Sequence, residues 1–225
     1  MHVTKPIPAP RPPRRALRRL RRLGRDRSAN ALIEFAYSLP LFLALGMYGI
    51  ELAYMATVNM QVSQIAMALA DNASRLGQTD NSSVAPTITN EMIDSVMTGA
   101  MKQGASIDFA TNGRVILSSL EKNAGNGRQY IHWQKCQGGL ARTSAYGPAG
   151  YGSTGTEIPG LGKAGHTVEA NDGSAVMFAE AFFQYKPLFG NMFVKDVKFA
   201  QEAAFIIRDR RDLSGVTGPA GASEC

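Results

Sequence analysis

The sequence ALIEFAYSLPLFLALGMYGIELAYMA, residues 31–56, decides the fold. Within it, the run from Phe35 to Ile50 carries no charge, and the whole stretch contains only two acids, Glu34 and Glu51. About 20 predominantly apolar residues are enough to cross the hydrocarbon core of a bilayer. We therefore predict that residues 30–56 form the membrane-spanning half of a longer helix.

The charge of the chain is divided unevenly on the two sides of this stretch. Residues 1–29 carry ten basic side chains and one acid, a net charge of +9, and five prolines lie between positions 6 and 13. Residues 30–225 carry 14 basic and 17 acidic side chains, a net charge of −3. Basic residues beside a membrane span stay in the cytoplasm. Residues 1–29 are therefore predicted to be a basic cytoplasmic leader, with the rest of the chain after the span outside.

Four other interpretations of the N-terminal region fit less well. A mitochondrial transit peptide is rich in arginine too, but the proline run argues against the amphipathic helix that it needs. A basic arm is also typical of nucleic-acid binding, but the basicity stops where the apolar stretch begins, so we expect no nucleic-acid partner. A buried core helix would not usually carry a polybasic flank at one end only. A cleaved secretory signal needs a small-residue site directly after the apolar run, whereas the first such site, Ala68–Ala70, comes 18 residues after Ile50.

The helix is predicted to continue beyond the membrane as an amphipathic helix over residues 57–76, which gives one helix from about 30 to 76. Gly77 is a plausible stop, and Pro40 costs the helix one backbone hydrogen bond. Apolar side chains recur at the spacing of one helix face, namely Met55, Val58, Val62, Ile65, Ala66, Leu69 and Ala73.

The remaining residues, 77–225, are predicted to form an extracytoplasmic α+β domain. After a polar linker at 78–87, a second helix is expected over 87–103, ended by Gly104. Residues 138–165 contain nine glycines and predict a long exposed loop. Four short runs rich in β-branched and aromatic residues predict an antiparallel sheet packed on the amphipathic half of the long helix. They are Arg114–Leu120, Gln129–Lys135, Val176–Tyr185 and Phe199–Arg208; aromatic residues on both phases of the third predict a central strand covered on both faces.

Few residues in this domain suggest chemistry. The G-x-G-x-x-G match at 160–165 lacks the preceding strand and following helix of a dinucleotide site. His132, Cys136, His166 and Cys225 are ligand types that suit zinc, but their spacing is long and scattered. No nucleophile elbow supports a Ser–His–Asp triad, and the charged cluster 208–212 predicts a solvated, self-paired strand end. We expect no catalytic residue, no cofactor and no metal site.

The segment from Arg25 to Leu52 resembles the N-terminal signature of TadE-like pseudopilins, minor pilin-like subunits of the Tad (tight adherence, Flp-type) pilus machinery. The resemblance rests on a basic run, small residues, the motif LIEFA (32–36), an apolar run with a proline, and GIE (49–51). It covers residues 25 to about 70 well and extends loosely to WQKCQG (133–138), AVMFAEAFFQYKPLFG (175–190), AAFIIRDRRDL (203–213) and the terminal cysteine.

The resemblance implies a function and a processing site. It implies a pilin-like fold and a non-enzymatic, structural role in Tad-type pilus assembly, a type II-like secretion system that supports adhesion. The partners would be a prepilin peptidase, other pilin-like subunits and the bacterial inner membrane. The peptidase would cut between Ala29 and Asn30, which places Glu34 at the fifth position of the mature chain. The alternatives are an uncleaved, signal-anchored periplasmic binding domain and an envelope enzyme.

The chain has two cysteines, Cys136 and Cys225. In the predicted topology both lie outside the cytoplasm, where thiols oxidise. We predict a disulfide between them that staples a loose C-terminal tail, SGVTGPAGASEC, with no other means of being held. An intermolecular link through Cys225 is the alternative.

Overall fold

A single helix of 47 residues, α1 (Ser28–Ser74), opens the part of the chain that the computed structural model describes, residues 28–77, 85–221, 223 and 225. The chain divides into two units, Met1–Ile50 and Glu51–Cys225, and α1 runs through the division. Residues 1–27 of the basic leader and most of the polar linker lie outside the described residues. The predicted long helix is confirmed within two residues at each end.

In the first unit, the described residues form the helix and expose their apolar side chains. An apolar helix is stable without covering its side chains when its surroundings are apolar as well. The exposed large side chains are Leu32, Ile33, Phe35, Tyr37, Leu39, Leu41, Phe42, Leu43, Leu45, Tyr48 and Ile50.

The second unit contains two further helices, α2 (Asn90–Gln103) and the single turn α3 (Phe109–Asn112). Thr89 caps α2 by accepting a hydrogen bond from the amide of Met92 at 3.3 Å, and the backbone amide of Gly104 closes its last turn. Short 3₁₀ turns occupy Ala105–Ile107 and Gly190–Met192. The helix predicted over 87–103 is confirmed, with its start at the threonine cap.

The strands are β1 (Ile88–Thr89), β2 (Gly113–Lys122), β3 (Gln129–Gln137), β4 (Ala175–Gln184), β5 (Lys198–Ile206) and β6 (Val216–Thr217). Four of them form an antiparallel sheet in the order β3-β2-β4-β5, which confirms the four predicted strands, while β1 and β6 form a parallel pair. Strand β4 lies inside the sheet and is buried along almost its whole length, as its aromatic residues on both phases predicted. The structure is thus α+β, with a long apolar N-terminal helix and a small antiparallel sheet.

The main core lies between the amphipathic part of α1 and one face of the sheet. Ile65 and Leu69 on the helix are fully buried in the same cluster as Leu117 of β2 and Met177 of β4. Burial of one leucine-sized side chain stabilises the fold by about 1.5–3 kcal/mol. The predicted packing of the sheet on the amphipathic half of the helix is confirmed.

The glycine-rich segment 138–165 is a long loop with most of its residues exposed, as predicted, but a few buried anchors hold it over the other face of the sheet. Ile158 and Leu161 are buried and form a second cluster with Leu120 and Phe178. Gly160 and Gly162 allow the close backbone approach that this requires, because a Cβ at either position would strike the carbonyl oxygen of Val168 or His166. The segment is a packed cover over the sheet.

Two further predictions about the C-terminal region are corrected. The cluster at 208–212 is not self-paired: Arg208 forms an ion pair with Asp71 at 2.7 Å, and the buried Arg211 donates to the carbonyl oxygen of Ala73 at 3.2 Å. Burial lowers the pKa of Arg211 to about 10. The tail is held by more than its cysteine, since β6 pairs with β1 and the Asn90 amide donates to the carbonyl oxygen of Pro219 at 2.9 Å.

Candidate processing site and membrane anchor

The predicted cleavage bond, Ala29–Asn30, lies in the first turn of α1. The first four backbone N–H groups of a helix have no partner inside the helix, so this turn is the part that unwinds at least cost. Asn30 and Glu34 are both exposed. They are four residues apart on one helix face, where the side chains of neighbouring turns interact. The roles of Ala29, Asn30 and Glu34 in processing stay predictions.

The apolar part of α1 is long and hydrophobic enough to cross a membrane. Within Asn30–Ser74, a stretch of 18 residues is apolar enough to cross the hydrocarbon core, and only 11% of that stretch is buried. A core helix of the same composition would be covered by the rest of its domain. The chain therefore has one N-terminal helix that can serve as a membrane span.

The second acid of the apolar stretch, Glu51, lies where the folded unit begins. Its side chain is fully buried, accepts a hydrogen bond from the Tyr185 hydroxyl at 2.5 Å and accepts another from the backbone amide of Phe189 at 3.2 Å. Burial and the bond to Glu51 raise the pKa of Tyr185 above its ordinary value. Glu51 belongs to the packing of the second unit, and the end of the membrane-spanning half at residue 56 stays a prediction.

Sequence reasoning did not find the partners of Glu51, which lie 134 and 138 residues further along the chain. The available signal was an isolated acid in an apolar run. Such an acid needs buried donors, because an unpaired buried charge is costly. The run AVMFAEAFF (175–183) carries the same signal at Glu180.

Cys136 and Cys225 form a disulfide, with their Cα atoms 4.9 Å apart. Cys136 is the penultimate residue of β3, and its backbone amide donates to the carbonyl oxygen of Ser223 at 2.6 Å. This backbone bond also holds the C-terminal tail against the strand. The predicted intramolecular pairing is confirmed. Oxidised cysteines have no thiolate to offer a metal ion, and the described residues contain no cluster of metal-ligand side chains.

His132 interacts with a carboxylate and not with a nucleophile. Its Nδ1 atom lies 2.9 Å from Oε2 of Glu121, and the Ser119 hydroxyl donates to Oε1 of the same carboxylate at 2.7 Å. In a nucleophilic triad the serine would donate to the histidine. Here the carboxylate stands between them: Ser119 and Glu121 are buried, His132 is half-buried, and the charge of Glu121 acts on Arg211.

A cleft of about 560 Å³ lies on the outer face of the sheet beside the disulfide. Arg114 and Arg142 line it, and the Arg142 guanidinium stacks over the Phe182 ring at 5.2 Å. Glu180 lies close by, buried, and accepts bonds from the Ser144 hydroxyl at 2.5 Å and the Ala145 amide at 2.9 Å. Burial raises the pKa of the Glu180 carboxyl.

The glycine motif at 160–165 is part of the cover over the sheet. Leu161 pairs with Val168 in an isolated antiparallel bridge, and no helix follows the motif, as the sequence indicated. The arrangement lacks the helix N-terminus that would receive a phosphate.

Comparison of this chain with known families, curated proteins and solved structures gives no match.

Proposed function

We propose that this protein is a single-pass inner-membrane subunit of the TadE-like pseudopilin kind, with a structural role in Tad-type pilus assembly. The observation that carries the proposal is the division of α1. Its first part exposes apolar side chains, and its second part forms the core of a small α+β body. The signature at 25–52 adds the processing motif to this plan.

The proposed role follows from what each part of the chain can do. The basic leader holds the N-terminus in the cytoplasm until a prepilin peptidase removes it. The exposed apolar face of residues 31–50 then packs against the helices of other pilin-like subunits within the inner membrane. The body outside meets the same subunits in the periplasm, and the disulfide keeps its C-terminus in place there.

Glu34 has a specific part in this assembly. Cleavage before Asn30 leaves a cationic amine at membrane depth, and a carboxylate four residues away, on the same or a neighbouring subunit, compensates it. A charge pair in a low-dielectric environment is much less costly than two isolated charges. The pair therefore favours subunit contacts in one register.

The experiment co-expresses the full chain with a Tad-type prepilin peptidase and its pilin-like partners, and determines the N-terminus by mass spectrometry. We expect a mature chain that begins at Asn30. Recovery of the uncut 225-residue chain alone, in a system that cuts its other substrates, would contradict the proposal.

The same system tests Glu34. The Glu34→Ala and Glu34→Gln variants are expected to be cut but to fail to co-purify with partner subunits, because the new amine loses its counter-charge. Glu91→Ala removes an exposed acid from α2 and is the matched control, which should co-assemble normally. Normal co-assembly by both Glu34 variants would exclude the proposed role of this carboxylate.

The second candidate function, an uncleaved signal-anchored binding domain, is favoured by the cleft beside the disulfide. Its two arginines, Arg114 and Arg142, suit an anionic ligand. An N-terminus at Asn30 in assembled subunits separates this candidate from the pseudopilin proposal.

A further inference from the structure

The connection between β4 and β5 lies where the chain leaves its apolar stretch. The loop of residues 186–198 comprises most of this connection and the first residue of β5, and the backbone amide of Phe189 within it donates to Glu51. Glu51 directly follows Ile50, the last residue of the uncharged run. If the run crosses a membrane, as the proposed function requires, this loop lies at the membrane surface.

The loop exposes large apolar side chains. Met192 is 70% exposed and Leu188 is 52% exposed, on either side of a 3₁₀ turn. Phe189 follows Leu188 in sequence, and Phe193 follows Met192. The rings of Phe189 and Phe193 contact each other edge to face, with centroids 6.2 Å apart. Exposed apolar residues that occur singly need no explanation, whereas a contiguous group marks an interaction surface.

The loop is also basic. Lys186, Lys195 and Lys198 are exposed, and Asp196 is the one acid between positions 186 and 198, so the segment carries a net charge of +2. This contrasts with the net negative charge of residues 30–225. Lysines that flank apolar side chains are typical of segments that lie in the membrane interface, where the ammonium groups reach lipid phosphates and the apolar side chains enter the acyl boundary.

Aromatic side chains next to the loop fit the same location. Tyr185 lies 5.9 Å from Tyr54 and 5.7 Å from Phe199, measured between ring centroids, and forms the floor under the loop together with the buried Glu51. Tyr54 is half-buried, and tyrosines are enriched at the level of the lipid headgroups. The polar group of this floor is satisfied internally, so the loop can approach the membrane without exposing an unpaired charge.

We propose that residues 186–198 insert into the interface of the same membrane that α1 crosses, with Leu188 and Met192 in the acyl boundary and the three lysines on anionic lipid phosphates. The inference rests on the membrane span of the proposed function. Lipid is the occupant because the loop is bonded to the residue that follows the apolar run, and because its charge is opposite to that of anionic headgroups. Such a contact gives the body a second attachment to the membrane beside α1.

The test uses the full chain reconstituted in vesicles, with a single tryptophan as the depth probe. The chain has one tryptophan, Trp133, so Trp133→Phe provides the background. Met192→Trp probes the loop, and Leu43→Trp probes the apolar run. Tyr151→Trp is the control, since the Tyr151 carbonyl bonds to Ile131 near the far end of the sheet. Ile131 lies opposite Leu120, and Leu120 lies opposite Val176 of β4. From Val176 to Gln184 the length along β4 is about 26 Å at 3.3 Å per strand residue.

Emission wavelength and quenching by lipids brominated near the headgroup are measured in phosphatidylcholine vesicles with and without phosphatidylglycerol. We expect blue-shifted, quenched emission from Met192→Trp, stronger with phosphatidylglycerol, and water-like, unquenched emission from Tyr151→Trp. Each of Lys186→Gln, Lys195→Gln and Lys198→Gln in the Met192→Trp background should lower the insertion equilibrium about fivefold in the anionic vesicles.

The failures of the two proposals differ. Water-like emission from Met192→Trp, while Leu43→Trp is quenched by lipids brominated deep in the acyl chains, overturns the loop insertion and leaves the span intact. A blue shift without quenching by any lipid overturns it as well and assigns the surface to a protein contact. Absence of deep quenching for Leu43→Trp removes the span and the loop insertion together.

Discussion

At the scale of single residues, Glu180 shows how a buried acid makes the stability of this fold depend on pH. Burial raises the pKa of its carboxyl above the ordinary value of 4.5, and Glu202, directly opposite on β5, acts in the same direction. The folded state therefore binds this proton more tightly than the unfolded state. The stabilisation is fully present below pH 4.5 and is lost as the pH rises through the folded pKa.

We predict that Glu180→Gln increases the free energy of unfolding at neutral pH. The amide keeps an acceptor for the Ala145 amide and removes the buried charge. Urea unfolding of the detergent-solubilised chain, followed by Trp133 fluorescence at several pH values, measures the effect. The difference from the wild type should disappear below pH 4.5.

The control for this prediction is Glu157→Gln, which changes an exposed acid outside any helix and should leave the free energy of unfolding unchanged at both pH extremes. A Glu180→Gln protein that is less stable than the wild type at neutral pH would show that the charged carboxylate is better solvated by its donors than its burial implies.

At the scale of elements, Gly99 inside α2 and Gly104 directly after it should change the stability of the fold in opposite directions when each is replaced by alanine. A Cβ at Gly104, which ends the helix, would strike the Phe109 side chain and lie 2.9 Å from the Cδ1 atom of Ile65. Gly99 is exposed inside the helix, and a Cβ there would meet nothing within 4 Å. Gly104→Ala should therefore destabilise the fold by about 1–3 kcal/mol through overpacking.

Gly99→Ala is the matched variant and should stabilise the fold by about 0.5–1 kcal/mol, because alanine loses less backbone entropy in a helix. Thermal unfolding followed by circular dichroism measures both changes. Equal effects of the two substitutions would indicate that the turn after α2 relaxes to accept the methyl group.

The disulfide is an element that closes a loop between residues 89 positions apart. A loop of this length is worth at most roughly 4–5 kcal/mol in the chain-entropy description. The gain should be smaller here, because β6 and the Asn90 amide already hold the tail. Cys136→Ser and Cys225→Ser are therefore expected to fold and to lose stability by the same amount.

Non-reducing electrophoresis of periplasmically expressed protein checks the linkage. The wild-type monomer should run faster than its reduced form, and both variants should lose this shift. A disulfide-linked dimer in the wild type, or a shift that only one variant abolishes, would contradict the intramolecular pairing in the cell.

The elements that the sequence predicted well are those with a regular pattern. Helical spacing located α1 and α2, and β-branched and aromatic runs located the four main strands to within two residues at their ends. The two-residue strands β1 and β6 carry no such pattern. Isolated anchors such as Ile158 and Leu161, in a segment with nine glycines, show no periodicity either, so their burial could not be predicted.

The hydrogen-bond and ion-pair partners of charged residues could not be predicted from the sequence either. The ion pair of Arg208 with Asp71 and the bond of Tyr185 to Glu51 join residues more than 130 positions apart. Local sequence shows that an acid in an apolar run needs a donor, but it does not identify the donor. The cysteine pair was predictable because the chain has only two.

At the scale of the whole molecule, the charge distribution predicts which side of a membrane each part occupies. The leader carries +9 and residues 30–225 carry −3, and the apolar part of α1 separates them. Basic flanks resist translocation, whereas a mildly acidic domain does not. The disulfide is consistent with this arrangement, because such bonds persist outside the reducing cytoplasm.

We predict that residues 1–29 are cytoplasmic and residues 77–225 are periplasmic. Reporter fusions after residue 80 and after Cys225 should both be active with alkaline phosphatase, which needs an oxidising compartment, and inactive with a cytoplasmic reporter.

Replacing the seven arginines of residues 14–25 with glutamine should lower or invert this preference, because the orientation signal is then largely removed. The control replaces the three lysines at 186, 195 and 198, which follow the span at a distance and should leave the orientation unchanged. Cytoplasmic reporter activity after residue 80 in the unaltered chain would exclude the topology and, with it, the assembly role proposed for the periplasmic body.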